Sequence, residues 1–247
     1  MGFLRPPKQF FNFMTLLVAL SSGKALAAGN SVALGPFACD GVVQAGQDRI
    51  VLNGIYPVGT GRRCIAIESL GLQVRKPFTL FSASMDRYGR KTARVVDSQK
   101  ENLAVRLVAE GMAVFMPGSG LSAREVANFL EAEKAARQES RGAWGKGFSI
   151  LSTTRDVPVG KYVVVEGIVR RVGKSRDMAF LDFGEDYRKD FTIVVPKKLW
   201  KFFDGFSGIS GQRVRVRGFV LSRYGPQIQV SHKESLEILT GQGPPKP

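Results

Sequence analysis

The sequence predicts a mainly β chain with helices, an α+β fold in two successive units, and three observations predict it. Runs that alternate apolar and polar residues recur in both halves, as half-buried strands do. Two stretches of the first half instead repeat apolar residues every three or four positions, the helical period. The second half is strand-rich, with one helical segment between its third and fourth strands. A hydrophobic fraction of 44% and a charged fraction of 23% belong to a globular chain rather than a disordered one.

The elements are justified in order. Residues 1–27 read as a cleavable export signal. Arg5 and Lys8 supply a positive start, Phe10 to Leu20 is almost wholly apolar, and Ala25-Leu26-Ala27 has the small-x-small form cut by signal peptidase. The apolar run is far short of the about 20 residues a spanning helix needs. No later stretch is apolar enough to span, so the expectation is a soluble periplasmic or secreted protein with no integral membrane segment after cleavage.

The first unit, 28–150, is expected to carry strands over Arg49–Ile55, Phe78–Ala83 and Thr92–Val96. A helix over Asn102–Glu110 places Leu103, Leu107 and Val108 on one face, and a shorter helix around Cys64–Leu72 is open. Ser122 and Glu125 form a capping-box pair before Val126, Phe129 and Leu130, so a long helix is expected over Ser122–Arg141, stopped by Gly142. The second unit, 151–240, is expected to carry strands over Tyr162–Val172, Met178–Phe183, Phe191–Val195, Arg213–Leu221 and Gln227–Val230. Its one helix covers Lys197–Phe203. Five strands with a helix at that point follow the order of a small Greek-key barrel of the oligonucleotide-binding (OB) type. Residues 241–247 read as a flexible Gly/Pro-rich tail.

Charge narrows the partners. The formal net charge is +15, and without Arg5, Lys8 and Lys24 it is +12. Such an excess attracts polyanions, whether nucleic acid, anionic lipid or acidic polysaccharide. Two cysteines, Cys39 and Cys64, in an exported chain are expected to pair, closing a loop whose bridge is worth about 3 kcal/mol in the chain-entropy description. Two buried free thiols are the alternative. The single histidine, His232, has no ligand partner at zinc spacing, so no metal site is expected.

From Asp86-Arg87-Tyr88-Gly89-Arg90 the chain resembles the staphylococcal-nuclease-like (thermonuclease) family. The likeness continues through Thr92-Ala93-Arg94-Val95 and Leu107 to Ala113, and ends over Glu131 to Trp144. It covers about Pro36 to Gly145. It implies an OB barrel plus helices, and calcium-dependent cleavage of DNA or RNA. In that chemistry carboxylates hold the metal and two arginines neutralise the phosphate, because phosphoryl transfer is mainly positioning and electrostatics.

Carried over residue by residue, only Arg90 keeps a catalytic identity. The ligand aspartates fall on Val42 and Tyr56, the glutamate on Gly59 and the other arginine on Val51. Arg49 would share a strand face with Val51, and Asp40 and Asp48 are the only nearby substitutes for carboxylate. No cofactor is therefore expected, calcium entering only if the site has been remodelled.

Nucleic-acid-binding candidates come from the family stretch, Arg87 and Arg90, and from the second unit. The loop between its first two strands carries Arg170, Arg171, Lys174 and Arg176, and the loop between its last two carries Arg223 and Tyr224. Those loops flank the binding face of an OB barrel. Phe180, Phe183 and Tyr187 stand on or just after the second strand, where a ring can stack on a base. Arg213, Arg215 and Arg217 alternate with valines and read as a solvated strand face. The carboxylates of Asp182, Glu185, Asp186 and Asp190 near the same face would oppose phosphate.

The functional expectation is a thermonuclease-like, non-catalytic binder of nucleic acid or another polyanion. An active nuclease with a remodelled site and an envelope interaction module are the rivals. Oligomeric state is not legible.

Overall fold

The computed structural model describes residues 30–37, 41–58, 77–85, 88–118, 120–145, 148, 150–152 and 157–239. The export signal, the Cys39–Cys64 pair, the helix around Cys64–Leu72, Arg87, Gly59 and the tail lie outside the described residues.

The first part of the chain forms β1 (Asn30–Val32), β2 (Leu34–Phe37), β3 (Val42–Ala45), β4 (Asp48–Leu52), β5 (Ile55–Pro57), β6 (Phe78–Met85), β7 (Lys91–Val96), α1 (Leu103–Ala109), β8 (Ala113–Phe115) and α2 (Ala123–Gln138). Six of these strands make one sheet in the order β1-β6-β7-β4-β3-β2, with β4 and β7 parallel, and β5 pairs β8 separately. Among the described residues this sheet is open, where the resemblance implied a barrel. The core beneath it gathers Val43, Ile50, Leu52, Leu80, Val95, Leu107, Phe115 and Phe129.

The expected strand Arg49–Ile55 is cut in two at Asn53-Gly54. Gly54 has φ +88°, and a Cβ there would lie 2.7 Å from the Phe129 ring, so only glycine lets the chain turn against α2. The capping box of α2 forms as read, with the Ser122 hydroxyl accepting from the Glu125 amide and the Glu125 carboxylate accepting from the Ser122 amide. The helix stops three residues before the expected end, and a short 3-10 turn follows at Gly142–Gly145.

The second part forms β9 (Tyr162–Ile168), β10 (Arg171–Lys174), β11 (Met178–Asp182), β12 (Thr192–Pro196), β13 (Arg213–Ser222), β14 (Pro226–Gln229) and β15 (Leu236–Ile238). The one expected first strand is broken at Val169-Arg170. Its two pieces serve opposite ends of the order β10-β11-β12-β14-β13, because β9 pairs β13 while β10 pairs β11. A 3-10 segment, Lys197–Phe206, stands where the helix was expected. Val165, Leu181, Phe191, Ile193, Val195, Val214, Val216 and Ile228 make a second hydrophobic cluster. No described helix is long and apolar enough to cross a membrane.

The reading of Arg213, Arg215 and Arg217 as a solvated face is overturned. Arg217 is only 1% exposed. One of its Nη atoms donates to Glu133 of α2 at 2.9 and 3.0 Å, and the other donates to Glu237 of β15. Arg213 and Arg215 donate to the buried Glu166 at 2.8 and 2.6 Å. Alternation did place the three on one strand face, but that face packs against α2 and carboxylates rather than water. Burial works against the charge of Arg217, yet Glu133 and Glu237 outweigh it and hold its pKa above the ordinary arginine value.

The same seam carries an aromatic cluster. Tyr56 of β5 stacks on Tyr162 of β9 at 4.8 Å, Phe219 of β13 meets both edge-on, and the Tyr162 hydroxyl donates to the Phe115 carbonyl at 2.9 Å.

Candidate functional site

The outer face of the second sheet is hollowed into a groove of about 510 Å³. Period two explains which side chains line it: Ala179, Leu181, Ile193, Val195 and Ile228 point into the core, and their neighbours point out. Register then stacks the outward residues in rows. Arg171, Asp182, Thr192 and Gln227 form one row, and Gly173, Phe180, Val194 and Gln229 the next. Met178 opposite Pro196 begins a third.

The first row is polar and internally satisfied. Asp182 is 2% exposed, and its carboxylate accepts from Arg171 Nε at 3.0 Å and Nη2 at 2.9 Å and from the Thr192 hydroxyl at 2.9 Å. This carboxylate is thereby neutralised and does not oppose an anionic ligand. Asp186 and Asp190 shape the loop after β11. Asp186 accepts from the Arg188 amide, which with Lys189 nearby holds its carboxyl below the usual range, and Asp190 accepts from the Asp186 amide.

Two tyrosines make the rim at this end. Tyr187 is 43% exposed and Tyr224 is 76% exposed. They are brought together by Gly225, at φ +96°, where a Cβ would crowd the Tyr187 and Asp190 carbonyls at 3.0 and 3.1 Å. The β13–β14 turn therefore lies directly on the loop after β11. Tyr224 itself holds φ +56°, a region that favours glycine. Arg171 and Arg188 lie 5.9 and 5.6 Å from the Tyr187 ring centre.

Of the candidates read from the sequence, Arg171, Arg223, Tyr224, Phe180 and Tyr187 line this groove. Arg170 is exposed and anchors the turn through its backbone, donating to the Asp182 carbonyl at 2.8 Å. Lys174 projects from the opposite face of β10, where its Nζ donates to the Gly205 carbonyl at 2.7 Å. Arg176 is exposed in the β10–β11 turn and does not line the groove. Phe183, read as a stacking candidate, is instead core: offset by three from Phe180, it faces the other way. Thr192, Gln227, Gln229 and Met178 were missed. The Pro226-Gln227-Ile228-Gln229 alternation carried the signal for the two glutamines.

The family-like positions lie elsewhere. Arg90 sits 5.2 Å from the exposed Tyr88 ring. Val42 is 6% exposed, and Tyr56 belongs to the aromatic cluster of the seam. Asp48 is ion-paired with Lys91 at 2.7 Å. No group of three or more potential metal-ligating side chains exists among the described residues. The family model for staphylococcal nuclease homologues matches residues 69–146. That stretch includes Arg90, β7, α1 and α2 and leaves out Val42, Val51 and Tyr56. No curated protein matches the chain.

Proposed function

We propose, from the nuclease-homologue stretch at residues 69–146 taken as premise, that the chain is an exported, non-catalytic nucleic-acid-binding protein. On this reading the residues beyond about 150 form an OB-type unit that holds a single strand, and the nuclease-like part is its scaffold. One observation carries it: a groove walled by Phe180, Tyr187 and Tyr224, with Arg223 at its edge and Asp182, the one carboxylate among its described lining residues, neutralised by Arg171.

The residues support binding in a defined way. Exposed rings stack on bases without regard to sequence, each contact being worth about 1–3 kcal/mol. Arg223 supplies a phosphate contact, and the Gln227 and Gln229 amides offer donors and acceptors to base edges. The absence of cleavage rests on chemistry. Calcium takes six to eight oxygen ligands. The positions that would supply carboxylates are Val42, Tyr56 and Gly59, and the Tyr56 ring is committed to Tyr162. These residues do not fit the ion, and no step is routed through it. Export is supported by the signal-like first 27 residues.

The reading is tested by fluorescence anisotropy with a labelled single strand. Tyr187→Ala is expected to weaken binding by about 1–3 kcal/mol, and Arg223→Gln to reduce the slope of log affinity against log salt by about 0.7. Arg176→Gln, away from the groove, leaves the slope unchanged. Unchanged affinity in Tyr187→Ala together with an unchanged slope in Arg223→Gln would refute the groove as the site.

A further inference from the structure

Past the Val194–Gln229 end of the groove, the chain leads to a second aromatic surface. Val194 pairs with Gln229, so the chain beyond them runs from Pro196 into the 3-10 segment and from Val230 toward Lys233. There Phe202 is 47% exposed. Lys201 and Lys233, from different segments, both stand 5.1 Å from its ring centre. Lys197 and Lys198 are exposed on the same segment, and Lys233 is ion-paired with Glu234 at 3.8 Å.

Two ammonium groups beside one exposed ring make a positively charged aromatic surface that one carboxylate, Glu234, offsets in part. A strand phosphate beside a stacked base suits this surface, adding charge for the lysines and a π-face for the phenylalanine. From the Asp182 row to Met178 the groove itself spans four residue steps of β11, about 13 Å at strand rise. A mononucleotide in the groove cannot bridge it.

Resting on the single-strand reading above, we infer that Phe202, with Lys201 and Lys233, is a second stacking platform, and that the ligand is an oligomer running from Tyr224 across the groove to Phe202. The site then distinguishes ligands by length.

The test compares thymidine oligomers of about four and about sixteen nucleotides, the range of site sizes known for OB-type units, on the full chain. Phe202→Ala is expected to weaken the long oligomer about fivefold or more and leave the short one unchanged. Lys201→Gln with Lys233→Gln should lower the salt slope by about 1.4 for the long oligomer alone, and Phe202→Tyr should retain wild-type affinity. Equal losses for both lengths, or no loss for the long one, overturn the platform while groove binding stands. If the wild-type chain binds neither oligomer, the single-strand reading itself falls.

Discussion

Tyr224 condenses the relation between strain and use. A tyrosine at φ +56° occupies a region disfavoured for side chains bearing Cβ, costing on the order of 1 kcal/mol. The turn needs a residue there but not this one, since 76% of the side chain faces solvent and its packing explains little. Tyr224→Gly is expected to leave the fold as stable or to raise its unfolding free energy by up to about 1 kcal/mol, while weakening oligonucleotide binding by about 1–3 kcal/mol. Urea unfolding and anisotropy on the same preparation check the two halves, and a loss of stability together with unchanged binding would assign Tyr224 to the fold instead. Residue-scale legibility was uneven for a physical reason. Arg171, Arg223 and Tyr224 were readable because turn residues and strand alternation place them locally. The burial of Arg217 was not, because its partners Glu133 and Glu237 stand 84 and 20 positions away in the chain.

At the scale of elements, α2 was the most legible part. Ser122 and Glu125 announce its start without tertiary information, and the structure repeats the pair in full. Burial opposes ionisation of Glu125, but hydrogen bonds from the Ser122 side chain and backbone and from Arg94 outweigh it, so its pKa lies below the ordinary carboxylate value. A depressed folded-state pKa means the stabilisation is fully present above the unfolded value and is lost as pH falls through the folded one. Glu125→Ala is therefore expected to cost about 0.3–1.5 kcal/mol near neutrality, and the gap to wild type should close on acidification below the ordinary carboxylate range. A gap independent of pH, followed by urea denaturation, would contradict the capping role. Short edge elements such as β1, β2 and β15 escaped the sequence reading, since three or four residues give period two no room to declare itself. The 3-10 segment Lys197–Phe206 was read as a helix because apolar spacing of three to four suits both.

Across the whole molecule, the two hydrophobic clusters are joined by the Arg217–Glu133 pair and the Tyr56–Tyr162–Phe219 cluster. Removing one partner of a buried pair strands the other charge, which typically costs about 3–5 kcal/mol. Arg217→Met is expected to destabilise the chain by that amount, and Glu133→Gln added to it should cost less than Glu133→Gln alone. Additive losses in a double-mutant cycle would show the two groups to be independent. The seam also bears on the nuclease-like part: Tyr56, at a position where the resemblance implied a ligand aspartate, is an aromatic contact between the β5–β8 pair and the second sheet. The central claim, a strand bound but not cut, is tested most directly by titrating one labelled oligonucleotide with the full chain, first with calcium and then with chelator, reading anisotropy and strand length together. The account predicts salt-sensitive binding, unchanged by chelator, with the strand intact throughout. Shortening of the strand that requires calcium and stops with chelator would contradict it.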